Sequence, residues 1–435
     1  MGTAMKKKYI YTLFILIFFF QYYSCSNSDL KEDKYSAGGK DSSITKQDTI
    51  KTQSYDPLMN TNNKFNNLDE QAFDLHYDAI VIDTHNDILM PIVLESADIT
   101  REMASTQSDL VKWKKGGLDV QVFSIYVPEK IKSNHFKYAM GLIDKLESLS
   151  SENPVLFHLA TDYKSLTEGL KESIFCGLMG AEGGNIIQGS MENLETLHSR
   201  GVRYLGLTWN TSNAIAVSAK DETAGRKGGL TEFGFKVVEK MDELGMMIDV
   251  AHLGETAFWD VINTSKNPII ASHSCVYNIC AHYRNLTDEQ IKAIAKSNGI
   301  ICVNFYSKFL DPGGANGTTI QARYKSDLKE IEATSNDMID FNKKRYEYLK
   351  ENQAKGGTSI DYLIDHIDYI VKLIGIDYVG LGSDFDGSII TPNELYDATC
   401  YPVITKKLVE RGYKEDEIRK ILGLNFLRVF KQVCG

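Results

Sequence analysis

From residue 79 onward the chain alternates two hydrophobic rhythms. Short apolar, β-branched runs read as strands: Ala79–Asp83, Val120–Val127, Phe175–Met179, Arg203–Leu207, Met246–Val250, Pro268–Ala271, Gly299–Phe305 and Tyr378–Leu381. Near-continuous apolar runs of this length suit strands covered on both faces. Between them, apolar residues recur at helical spacing over Phe136–Leu149, Glu192–His198, Glu232–Leu244, Glu255–Asn263, Asp288–Lys296 and Tyr362–Ile374. Thr287 and Gln290 have the form of a capping box, and Thr231 precedes another helix start. Eight parallel-type strands separated by helices predict an α/β fold, a single (β/α)8 barrel of the TIM type over residues 68–435. Residues 306–358 form a polar insertion, helical in part from Ala322 to Glu351, expected above the barrel mouth or on its flank. No internal repeat is visible.

The first 67 residues follow a different pattern. Lys6, Lys7 and Lys8 precede an apolar run from Ile10 to Phe20, then Tyr22-Tyr23-Ser24-Cys25. A basic start, an apolar centre and a small residue before the cleavage point predict an export signal over residues 1–24. The segment resembles a bacterial lipobox, with Tyr22 where Leu is usual, so lipid on the Cys25 thiol is expected. The alternative, an uncleaved anchor, needs about 20 apolar residues, more than this run supplies. Residues 25–67 are rich in Ser, Asp, Lys, Asn and Thr and read as a flexible tether behind that lipid. The end of the chain, Lys431–Gly435, carries no hydrophobic tail, so a GPI anchor is not expected. The expected location is the bacterial cell envelope, lipid-anchored and either periplasmic or surface-exposed.

Composition narrows the function. At 435 residues and 43% hydrophobic, the chain has ample apolar content for a large core. A formal charge of −10, with no basic cluster beyond the N-terminus, argues against a nucleic-acid partner. After Cys25, six cysteines remain and none forms a CxxC pair, which argues against a thiolate zinc site. Cys176 and Cys302 lie inside strand-like runs and are expected as free buried thiols.

The chemically capable residues gather where the strands end. His85 and Asp87 follow the first strand, Glu182 the third, His252 the fifth, His273 the sixth, and Asp384 and Asp386 the eighth. Barrel enzymes keep their chemistry at that face. Three imidazoles with carboxylates suit a divalent metal of borderline softness, zinc first. Residues i and i+2 of a strand share a face, so His85 and Asp87 can hold one ion together. His252 and His273 would take a second, and Glu182 could bridge the two. Singly, each of these residues has an ordinary structural reading, such as a satisfied histidine or a capping aspartate. His76, His135, His158, His198, His282 and His366 keep that reading, as does Asp386, a turn residue.

The segments Asp83-Thr84-His85-Asn86-Asp87, Gly180-Ala181-Glu182-Gly183-Gly184, Asp249-Val250-Ala251-His252, Ser272-His273-Ser274, Arg284-Asn285 and Gly382-Ser383-Asp384-Phe385-Asp386-Gly387 resemble the membrane (renal) dipeptidase family, in order, from about residue 70 to 430. The resemblance implies a barrel of the metal-dependent hydrolase kind with two zinc ions, His85 and Asp87 on one, His252 and His273 on the other, and Glu182 between. It implies that Arg284 receives the C-terminal carboxylate of a substrate and that Asp384 handles protons or the substrate amino group. The expected reaction is dipeptide hydrolysis, by attack of a metal-bound hydroxide on the peptide carbonyl. One position departs: Trp209, in Leu207-Thr208-Trp209-Asn210, stands where many members carry a substrate-contacting His. It reads as a pocket wall favouring small side chains, or as barrel-top packing. Two other readings remain open. An N-acyl amino acid deacylase or lactone hydrolase would use the same two-metal site and cleave N-blocked substrates. A non-catalytic surface binding lipoprotein would hold zinc without turnover. Expected partners are small dipeptides, a membrane through the N-terminal lipid, and, as an open option, a second copy in a homodimer.

Overall fold

The computed structural model describes residues 70–435, apart from residues 96, 129–130, 316–319, 337 and 353–357. The expected export signal, Cys25 and the tether lie outside the described residues. Among the described residues nine strands form one parallel sheet: β1 Ile82–Asn86, β2 Val120–Tyr126, β3 Phe157–Leu159, β4 Phe175–Glu182, β5 Val202–Gly206, β6 Met247–Asp249, β7 Ile270–Ala271, β8 Ile300–Asn304 and β9 Val379–Gly382. β1 pairs with both β2 and β9, and β2 pairs with β4, so eight strands close into a (β/α)8 barrel. The ninth, β3, is a three-residue strand outside the ring, paired to the start of β4 through Phe157 and Phe175. Three residues are too few to show a periodicity, which is why the sequence does not announce it.

Alternation along the strands separates inside from outside. Ile82, Val122, Leu178, Met247, Ile270 and Ile300 share one cluster, the barrel interior. Phe426, Phe430 and Val433 of the terminal helix Asn425–Cys434 pack into it from the N-terminal ends of the strands. Val81, Phe123, Met179, Leu205, Ile248 and Ile301 belong instead to the cluster shared with the surrounding helices. With that end filled by side chains, the opposite face remains for chemistry. All six cysteines among the described residues are buried and unbridged, as expected for Cys176 and Cys302.

Two strand ends differ from expectation. β1 runs on to Asn86 and β4 to Glu182, so His85 and Glu182 are strand residues rather than loop residues beyond a strand. Polar residues end an apolar run in the sequence, but the backbone pairing continues through them, Glu182 lying opposite Tyr126 and Gly206. Residues 306–358 contribute the helices Ser307–Leu310, Pro312–Ala315, Ile320–Ala333 and Met338–Asn352. Among the described residues no helix is long and apolar enough to cross a membrane.

Candidate metal centre

Glu182 is the centre of the arrangement. Its Oε2 lies 3.6 Å from His85 Nε2. Its Oε1 lies 3.0 Å from His252 Nε2 and 3.6 Å from His273 Nε2. One carboxylate thus turns one oxygen toward His85 and the other toward His252 and His273. Asp87 Oδ1 stands 3.9 Å from His85 Nε2. The His252 and His273 Nε2 atoms are 3.1 Å apart. Asp384 also falls within reach of His85 and Asp87.

The three imidazoles are oriented alike by their other nitrogens. The Tyr204 hydroxyl donates to the Thr84 carbonyl at 3.0 Å, which leaves its oxygen to accept from His85 Nδ1 at 3.0 Å. Ser272 Oγ donates to Asp249 at 2.6 Å and so accepts from His273 Nδ1 at 2.8 Å. Asn210 Oδ1 lies 3.2 Å from His252 Nδ1 and accepts there. Each ring therefore carries its proton on Nδ1 and turns the Nε2 lone pair into the cluster, the pattern of ligands fixed from behind. His85 Nε2 and Asp87 Oδ1 are buried without a hydrogen-bond partner. Buried polar atoms are rarely left so, and a cation satisfies both at once.

The electrostatics agree. Burial would lower the His85 pKa, but Glu182, Asp87 and Asp384 outweigh it and push it up to about 10. Burial would raise the Glu182 carboxyl, yet the facing imidazoles hold it well below its ordinary range. Asp87 is raised, first by burial. Burial pushes Asp384 up to about 6 and takes His252 down to about 4. The carboxylates around His85 make a local excess of negative charge, and a cation at that point would answer it. The donor set of imidazole and carboxylate fits zinc.

The backbone brings these groups together by lacing β1 to β9. The Asp384 N–H donates to the His85 carbonyl at 3.1 Å, and the Asp87 N–H to the Phe385 carbonyl at 2.9 Å. Below them, buried Asp83 accepts from the Ser383 N–H and hydroxyl, as Asp249 does from Ser272. His252, Asp384 and Asp386 sit at φ of 65°, 63° and 65°, a left-handed conformation costing roughly 1–2 kcal/mol for a residue with a Cβ. Close approach here depends on glycine. A Cβ on Gly180 would lie 1.9 Å from the Tyr204 ring that holds His85, and one on Gly387 would lie 2.7 Å from Asp87 Oδ2.

Above the cluster opens a cavity of about 610 Å³, lined by Asp87, Glu182, His252, Arg284, Trp209 and Asp384 among others. Arg284 is 4% exposed; its Nη2 donates to the His273 carbonyl at 3.2 Å, and its Nε has no partner. Trp209 packs its ring 5.1 Å from Tyr126 and 6.2 Å from His252. Asp386 also lines the cavity, with its Oδ1 accepting from the Gln107 N–H at 2.7 Å and its Oδ2 unpartnered. His282 lines the cavity as well, and burial lowers its pKa to about 3. Its place two residues before Arg284 is the one sequence signal for it. Asn304, whose Nδ2 donates to Asp384 Oδ2 at 2.9 Å, carries none.

A closed parallel barrel whose mouth holds convergent imidazole nitrogens around a shared carboxylate defines the class, a metal-dependent hydrolase barrel. Within that class, the sequence pattern described as membrane dipeptidase (peptidase family M19) matches residues 69–434, and the chain belongs to that family of metal-dependent dipeptidases. It is 30% identical over 377 residues to mouse (Mus musculus) dipeptidase 3, covering 84% of this chain and 67% of that protein. Among solved structures it resembles the probable dipeptidase PvdM of Pseudomonas aeruginosa, with TM-score 0.69, 23% identity, and coverage of 83% and 97% of the two chains. It also resembles a metallopeptidase of Rhodobacter sphaeroides bound to a phosphinate mimic of L-Ala-D-Ala, with TM-score 0.67, 24% identity, and coverage of 82% and 100%.

Proposed function

We propose that the chain is a binuclear zinc dipeptidase, and the observation that carries this is the divided carboxylate of Glu182. His85 and Asp87 would hold one ion, His252 and His273 the other, with Glu182 between them. Two such ions, when bound, lower the pKa of a water and polarise a carbonyl oxygen. The protein supplies the rest. Arg284 offers a buried guanidinium whose planar fork suits the α-carboxylate of a dipeptide. Asp384, oriented by Asn304, stands beside the cluster and hands a proton to the leaving amine. Trp209 walls the cavity and favours a small side chain beside it. The relative that binds a dipeptide mimic supports a dipeptide as the substrate.

The test is a hydrolysis screen of the zinc-loaded protein on dipeptides, dipeptide amides, N-acyl amino acids and lactones. Free dipeptides should turn over, and Arg284→Ala should raise their KM roughly 10- to 100-fold, the value of a charge-assisted contact. Dipeptide amides should lose much less. Equal losses would make Arg284 structural. Turnover of N-acyl amino acids or lactones in place of dipeptides would give the site to that chemistry, and retained zinc without any turnover would make it a binding site.

The second part of the proposal is location. The basic start, apolar run and Ser24-Cys25 junction support export and a lipid on Cys25, placing the barrel at a bacterial envelope membrane on a tether of residues 25–67.

A further inference from the structure

The insertion brings a second guanidinium to the cavity. Arg345, on the helix Met338–Asn352, lines it beside Asp386 and Ser388, yet the residue is only 5% exposed. Among the described residues its one hydrogen bond runs from Nη1 to Ser388 Oγ, and its Nε is buried without a partner. No carboxylate of a described residue forms an ion pair with it, although its charge draws down the pKa of Asp386, which burial raises. Arg203 and Arg428 spend their guanidinium groups on several backbone carbonyls. Three more exposed arginines, Arg200, Arg411 and Arg419, are each 22–32% exposed and each paired with carboxylates. Burial of a guanidinium without a counter-ion is unfavourable, and an anionic group arriving with a ligand relieves it.

The two cavity arginines are held by different loops of the barrel mouth. Arg284 is tied to the His273 carbonyl. Arg345 is tied to Ser388, on the loop after β9, where Gly387 abuts Asp87. With the carboxyl end of a dipeptide on Arg284, Arg345 is left as a second cavity guanidinium able to receive an anionic group elsewhere on the substrate. We propose that Arg345 selects dipeptides whose amino-terminal residue bears an acidic side chain, aspartate or glutamate. The inference deepens the dipeptidase reading and rests on it. Loaded with two dications, the cavity would also favour such a substrate: Asp87, Glu182, Asp384 and Asp386 would be offset by the ions, leaving Arg284, Lys308 and Arg345 in excess.

The experiment compares kcat/KM of the full zinc-loaded chain for Glu-Ala, Ala-Glu and Ala-Ala, in the wild type and in Arg345→Met, with thermal melts to establish folding. The wild type should prefer Glu-Ala to Ala-Ala. In Arg345→Met that ratio should fall about 10- to 100-fold, mainly through KM. Arg345→Lys should keep part of the preference, because charge survives without the planar fork. Arg345→Glu should move it toward Lys-Ala. A ratio unchanged in Arg345→Met, a loss shared equally by all three dipeptides, or a loss confined to Ala-Glu overturns the inference while leaving the dipeptidase reading in place. Absence of turnover on all three by the folded wild type overturns the dipeptidase reading and this inference with it.

Discussion

His85, His252 and His273 do the same thing by three routes. Each spends its Nδ1 on a fixed acceptor, respectively Tyr204, Asn210 and Ser272, and each keeps Nε2 for the cluster. The gathering of these side chains is legible in the sequence, because polar residues ending apolar runs converge at a barrel mouth. Their supports are not. Tyr204 lies in the interior of β5, outside any motif, and only the missing Cβ of Gly180 makes room for its ring. Arg345 is hidden for a related reason: an arginine in a polar helix looks exposed until the helix is placed. Trp209 is the residue whose role the two readings of the sequence leave open, and its position at the cavity wall decides what to expect of it. Trp209→Ala should remain folded and accept bulkier side chains, seen as a rise in kcat/KM for bulky relative to Ala-containing dipeptides. An unchanged substrate profile, or a variant that only loses stability, would return Trp209 to packing.

Elements act through the loops they hold. The helix Ile360–Ile374 follows from its apolar periodicity, which marks His366 as no more than an ordinary helix residue. In the folded protein His366 bridges two other segments. Its Nδ1 accepts from the Val276 N–H at 2.9 Å, and its Nε2 donates to the Leu310 carbonyl at 3.0 Å. One side chain pins the segment after β7 and the helix after β8, both of which border the cavity. Burial lowers its pKa from 6.5 to about 4. The unfolded chain therefore takes up the proton first as pH falls. The contribution of neutral His366 is full above pH 6.5 and is lost as pH falls toward 4, a change on the order of 3 kcal/mol. His366→Gln should be less stable than the wild type at pH 7 but should lose less stability between pH 6.5 and 4 in denaturant unfolding. Parallel pH profiles for the two proteins would contradict the assignment. Strand number is legible where runs are long and apolar; β3 and the true ends of β1 and β4 are not, since pairing with neighbours, rather than side-chain type, extends them.

At the scale of the whole molecule, the barrel confines chemistry to one face because the terminal helix fills the other end. The insertion then roofs that face in part, adding Phe341 and Arg345 to the cavity lining. Cys25→Ser should release the protein from the membrane fraction or leave it unprocessed; a wild-type product of matching mass without lipid would contradict the anchor. The claim on which the rest depends is that one carboxylate serves two ions. Elemental analysis of the purified protein tests it most directly: the account predicts about two zinc ions per chain in the wild type, and loss of both, with most of the activity, in Glu182→Ala. Full metal content and full activity in Glu182→Ala, or a single ion per chain in the active wild type, would contradict it.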